Sequence, residues 1–126
     1  MTEGRAAGTV VAILNDLIFE TKIRSTAQTL GIEITVIRSV AALSGELDRV
    51  RPSLLLLDLN TAGPDAVSAI VTAHSHPTRP YAIAYVSHVD QDLAQQAKDA
   101  GADQVLPRSR FNADLPRILQ THCTPA

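Results

Sequence analysis

Short apolar runs alternate along this chain with longer stretches whose apolar residues recur at helical spacing, the arrangement produced when parallel strands are joined by crossover helices. Five runs read as strands: Thr9–Leu14, Glu33–Ile37, Ser53–Leu57, Tyr81–Val86 and Gln104–Leu106. Ser53–Leu57 is almost wholly apolar, as a strand covered on both faces must be, and this places it at the centre of the sheet.

Between the strands, Phe19, Ile23, Ala27 and Leu30 form one apolar stripe that Gly31 ends as a C-cap. Val40, Leu43, Leu47 and Val50 repeat the pattern behind Ser39 as N-cap, with Pro52 blocking continuation. Gly63-Pro64 opens a third helix with Val67, Ile70 and Val71 inward, closed by His76-Pro77. A fourth spans about Asp90 to Ala100 and stops at Gly101, and a short fifth is expected near Leu115–Thr121, with Pro116 in its first turn and Asp114 as cap. No repeat or linker interrupts the series, so right-handed crossovers predict a doubly wound parallel sheet with helices on both faces.

The chain has 126 residues, enough for one domain over residues 1–126 with a core of about 9–121, and a separate output domain is not expected. An apolar content of 45% against 19% charged residues is globular rather than disordered composition. Net charge is −2 with scattered basic residues, which argues against nucleic acid or an anionic membrane as partner. A single cysteine, Cys123, excludes an internal disulfide and a thiolate metal cluster. The longest apolar stretch, Leu54–Leu57, is far short of a membrane span, and a cytoplasmic protein is expected.

In an open α/β sheet the loops beyond the carboxyl ends of the strands converge on one crevice. The residues at those positions are Asn15 and Asp16 after strand one, Asp58 and Asn60 after strand three, Ser87 and His88 after strand four, and Arg108 after strand five. Carboxylates, a hydroxyl and a cation are thereby expected around one point. Each also has a plainer structural reading. Asp16 suits a helix N-cap, Asp58 a turn cap, Ser87 a strand-end hydroxyl, and Arg108 and His88 solvated surface groups. His74 and His76 are two apart and do not share a helical face, and Cys123 reads as an incidental thiol in a terminal tail.

The segments Ile13-Leu14-Asn15-Asp16, Leu56-Leu57-Asp58-Leu59-Asn60, Tyr85-Val86-Ser87-His88 and Gly101-Ala102-Asp103-Gln104-Val105-Leu106-Pro107-Arg108 together resemble the response-regulator receiver domain, over nearly the whole chain. The resemblance implies a flavodoxin-like fold with strand order 2-1-3-4-5 and a signalling module rather than an enzyme. It further implies a phosphoryl group accepted from a kinase histidine on Asp58, with Ser87 and Arg108 binding the phosphoryl oxygens. Mg²⁺ would be held by Asp16, Asp58 and the Asn60 backbone carbonyl, with Asn15 acting through water. The expected partners are a sensor histidine kinase or phosphotransfer protein and a downstream signalling protein; a homodimer is left open.

The sequence departs from the family pattern at the groups that matter most. Asn15 replaces one acidic residue, which removes a negative charge that would favour Mg²⁺, and Arg108 replaces a lysine with a planar fork that is not its equivalent. Ser109 and Val105 stand where a proline and an aromatic switch residue are usual. Two functions therefore follow from the resemblance: a phosphoryl-accepting receiver of a two-component phosphorelay, or a degenerate receiver that docks proteins without phosphate. A third class, an enzyme or small-ligand binder on the same scaffold, would want a phosphate-binding loop after strand one, and Asn15-Asp16-Leu17 offers none.

Overall fold

The computed structural model describes residues 8–62, 65–86 and 91–123. The five strands β1 (Thr9–Ile13), β2 (Glu33–Ile37), β3 (Leu54–Asp58), β4 (Tyr81–Val86) and β5 (Gln104–Pro107) form one sheet in the order β2-β1-β3-β4-β5, every pairing parallel. Every residue of β3 is buried, as its continuous apolar run requires of a central strand. The chain reverses direction across the sheet between β1 and β3, and in such folds the crevice at that switch is where ligands bind.

Side chains of alternating parity build a core on each face. On one face Val10, Ala12, Leu54, Leu56, Ile83 and Tyr85 pack against α1 (Leu17–Thr29) and α6 (Arg108–Cys123). On the other, Val11, Ile13, Leu55, Leu57 and Ala84 pack against α2 (Leu43–Val50), α4 (Asp65–Ser75) and α5 (Gln91–Ala100). Asp58 has the parity of Leu54 and Leu56, so its side chain belongs to the α1–α6 face. One helical turn, α3 (Leu59–Ala62), follows Asp58 directly.

Helix ends follow local chemistry. At the close of α1, the Ile32 N–H donates to Ala27 and the Gly31 N–H to Gln28, and Gly31 takes φ +72°, the left-handed conformation this closure needs. Four expectations are corrected. Ser39 makes no side-chain capping bond, because a 3-10 turn (Val40–Ala42) precedes α2. The expected third helix is α4 over its described part, Asp65–Ser75; its predicted opening at Gly63-Pro64 lies outside the described residues, as does Asp90.

The fifth helix begins at Arg108, well before Leu115, and Pro116 lies inside it. Proline there forfeits one backbone hydrogen bond, but burial of Phe111, Leu115, Ile118, Leu119 and Cys123 along one stripe outweighs that loss. Asp114 consequently caps nothing and pairs with Arg117 (3.2 Å) and Arg110 (3.6 Å) on the helix surface. Cys123 is not in a loose tail. It is buried, receives the Ser53 hydroxyl at 3.8 Å, and accepts the Gly8 N–H at its carbonyl.

Candidate functional site

Asp16 ends the extended segment after β1 and starts α1. Its Oδ1 accepts the backbone N–H groups of Ile18 (3.0 Å) and Phe19 (3.1 Å), two of the donors that a helix N-terminus leaves without intrahelical partners. Its Oδ2 accepts Arg108 Nη2 at 2.6 Å, a short charge-assisted bond between residues far apart in sequence. The Phe19 N–H first, then the Arg108 guanidinium, hold the Asp16 carboxyl below the usual carboxylate range, against the opposing effect of burial. Asn15, just before it, is exposed.

Arg108 is the first residue of α6, carried to the crevice by edge strand β5. Its guanidinium carbon stands 4.4 Å from the centre of the Phe19 ring, a cation–π distance. Phe19 in turn meets Tyr85 edge-on (centroids 5.4 Å apart, 71°) and Phe111 (5.8 Å), and Tyr85 stacks on Phe111 at 4.4 Å. The arginine thus closes an aromatic trio that belongs to the core between α1, α6 and β4.

Asp58 ends β3 and is only 4% exposed; with Glu20 it is one of two buried charged residues among the described residues. Its Oδ1 accepts the Asn60 N–H at 2.9 Å, which turns the chain into α3. Tyr85 lies across from it in the β3–β4 register. Burial pushes the Tyr85 phenol far above its ordinary range, the negative charges of Asp58 and Asp16 add to the shift, and Arg108 opposes it. Asp16 and Arg108 are thus in direct contact, and Asp58 is linked to them through its register with Tyr85, whose ring meets the Phe19 ring that lies under Arg108.

The fourth expected member, Ser87, lies outside the described residues, as does His88. His74 and His76 are at the far end of α4: His76 Nε2 contacts Asp48 at 2.6 Å, and His76 Nδ1 accepts the Thr78 N–H. That acceptance requires Nδ1 to be unprotonated, so the proton of the ring is on Nε2 and is donated to Asp48.

Two contributors were not apparent from sequence as site residues. Tyr85 reads as one more apolar strand position, and only its shared parity and register with Asp58 identify it. Phe19 reads as part of the α1 stripe; its spacing of three from Asp16 is the one signal that it reaches the same place.

In this arrangement Arg108 holds one of the carboxylates expected to hold Mg²⁺. Among the described residues no group of three His, Cys, Asp or Glu side chains could hold a metal ion. Both oxygens of Asp16 are engaged, one in capping α1 and one by Arg108. An octahedral dication would compete with the guanidinium for that carboxylate's charge.

No protein-family model and no curated protein matches the sequence. Solved structures match over most of its length. The chain is similar to the receiver domain of a sensor histidine kinase from Pseudomonas aeruginosa PAO1, whose active-site cleft coordinates a magnesium ion: identity is 22% and TM-score 0.78, covering 93% of this chain and 98% of that one. A CheY-like receiver domain protein from Methanospirillum hungatei JF-1 gives 13% identity and TM-score 0.80, over 92% and 93% of the two chains. The receiver domain of the putative response regulator NarL from Mycobacterium tuberculosis gives 16% and 0.76, over 91% and 94%. At such identities the likeness is one of architecture: the chain has the fold of the response-regulator receiver domain.

Proposed function

We propose that this chain is a signalling module with the receiver fold, acting through protein–protein contacts in a two-component system and docking without need of phosphate. The observation that carries the reading is the 2.6 Å contact between Arg108 and Asp16. A phosphoryl group on Asp58 would bring further negative charge into a pocket that already holds two carboxylates. The cation expected to receive it is committed to Asp16. Leu17 and Ile18, 67% and 85% exposed, follow Asp16 at the start of α1, where they offer apolar contact to a partner. The partners in view are a sensor histidine kinase or phosphotransfer protein, a downstream signalling protein, or a second copy of the chain. The setting is cytoplasmic; among the described residues no helix is long and apolar enough to cross a membrane. No catalytic turnover is assigned to the site.

A second reading is favoured by the position of Asp58, whose carboxylate ends the central strand at the edge of the sheet where Asp16 and Arg108 also begin their helices. In it, Asp58 attacks a phosphohistidine of the kinase and carries the phosphoryl group, Ser87 and Arg108 bind the phosphoryl oxygens, and Arg108 leaves Asp16. Asp16, Asp58 and the Asn60 carbonyl, with Asn15 through water, would then be the groups that hold Mg²⁺.

Incubation with acetyl phosphate and Mg²⁺, followed by intact mass measurement of wild type and Asp58→Asn, separates the two. Under the docking reading neither protein gains mass. A gain of one phosphoryl group in the wild type alone, with release of acetate, establishes the second reading and ends the first.

A further inference from the structure

We infer that the Arg108 guanidinium is a built-in cation that takes the charge-balancing place of a divalent metal in the Asp16–Asp58 pocket, leaving the folded protein indifferent to Mg²⁺. This deepens the phosphate-independent reading above and rests on it.

The first support is electrostatic. Asp58 ends β3 opposite Tyr85 in the β3–β4 ladder, and the Tyr85 ring meets Phe19 with centroids 5.4 Å apart. Arg108 is the positive group that lies over the same Phe19 ring while contacting Asp16, so its charge stands on the side of the sheet where both carboxylates lie at the carboxyl ends of their strands. One fixed guanidinium offsets the pair's charge with no metal to load or lose.

The second support is that the arginine is held on more than one side. Asp16 fixes its fork at 2.6 Å, and the Phe19 ring lies 4.4 Å from its guanidinium carbon. Arg108 also opens α6, a helix terminus where the macrodipole disfavours a cation. Its charge is therefore stabilised by the carboxylate opposite and not by its own helix. A lysine would lack the planar face that lies over Phe19 and the fork that meets a carboxylate oxygen.

The third support is what a metal would have to undo. A dication on Asp16 would stand beside the Arg108 cation that already holds Oδ2, and turning the carboxylate away from it would disturb the two α1 N–H groups that the other oxygen accepts. Asn15 next to it is neutral and exposed, and adds no compensating charge.

The test is thermal unfolding in Mg²⁺ against EDTA at matched ionic strength, for wild type, Arg108→Ala, Arg108→Lys and Arg108→Ala/Asp58→Asn. A ligand that binds only the folded state raises the melting temperature, so a shift reports binding without any activity assay. The wild type is expected to show no Mg²⁺-dependent shift. Arg108→Ala, with both carboxylates but without the guanidinium, is expected to gain one, and the double variant to lose it again. A Mg²⁺-dependent rise in the wild type as large as in Arg108→Ala overturns the inference, as does an Arg108→Ala protein that ignores Mg²⁺.

Should Arg108→Ala fail to fold, paramagnetic broadening by Mn²⁺ decides on the wild type alone: unbroadened Asp58 and Tyr85 resonances support the built-in cation, and selective broadening overturns it. Failure of the parent reading is distinct. A phosphoryl mass gain from acetyl phosphate in EDTA would remove the docking function while leaving Arg108 as the pocket's cation.

Discussion

Asp58 and Tyr85 are directly registered partners in the parallel ladder of β3 and β4, and the Tyr85 hydroxyl is buried with no hydrogen-bond partner among the described residues. A buried hydroxyl without a partner costs about 1–3 kcal/mol. Tyr85→Phe keeps the ring on Phe111 and removes only that cost, so the expected result in urea unfolding is unchanged or higher stability. A loss above about 1 kcal/mol would mean that the hydroxyl is bonded in solution. The same substitution should flatten the alkaline limb. Because folding raises this phenol above its ordinary value of 10.0, the folded state binds more protons above that pH, and stability falls as pH rises beyond it.

Glu20 controls part of the acid limb. It is buried in α1 between Arg24 (2.8 Å) and Arg38 (2.7 Å), and Arg24 first, then Arg38, pull its carboxyl below its ordinary value of 4.5 against the effect of burial. A lowered folded-state value contributes stability above 4.5 that is lost as pH falls below it. Glu20→Gln should be less stable at neutral pH and lose less on acidification. Parallel acid limbs for the two proteins would show that neither arginine contact persists in solution.

Asp16 performs two tasks, and two substitutions divide them. Asn caps helices about as well as Asp, so Asp16→Asn keeps the N–H contacts of Ile18 and Phe19 while cancelling the charge that Arg108 meets. Asp16→Ala removes both. The expected order of melting temperatures is wild type, then Asp16→Asn, then Asp16→Ala. Adding salt should narrow only the first gap, since that gap is the ionic one. Equal values for the two variants would mean that the cap contributes nothing.

Two glycines with positive φ should respond differently to alanine. At Gly31 (φ +72°) an added methyl meets open space, so Gly31→Ala carries only the left-handed backbone cost of about 1–2 kcal/mol. At Gly101 (φ +117°) the methyl would also lie 2.7 Å from His74 Nδ1, and the exposed imidazole must move. Gly101→Ala is therefore expected to be the more destabilised, with His74→Ala recovering the part due to the clash. Recovery to wild-type stability in the double variant would deny the backbone cost.

Much of the architecture was legible in one dimension because strand and helix periods are local. The run Leu54–Leu57 marked the central strand, and Gly31, Pro52 and Gly101 marked helix ends, since each acts through its own backbone. The extent of α6 was not legible. Pro116 argues locally against a long helix, and only the burial of Phe111 and Leu115 against the sheet overrides that preference. Cys123 was misplaced for the same reason: its burial depends on where α6 ends relative to β1 and β3, a distance unrelated to sequence separation.

The site divides along the same line. Sequence alone determined which chemical groups stand at the carboxyl ends of the strands, because strand boundaries and the parallel connection fix that end of each segment. It also held both uses of Asp16, as helix cap and as charged site residue, without ranking them. Only the tertiary structure decided that Asp16 serves α1 and Arg108 together, that Phe19 lies under the guanidinium, and that Tyr85 faces Asp58. The physical reason is that a carboxylate has few acceptor directions and a short reach, so its partner is chosen by which cation the fold brings within hydrogen-bonding distance, and that proximity arises from sheet order and helix packing rather than from any neighbour in the chain.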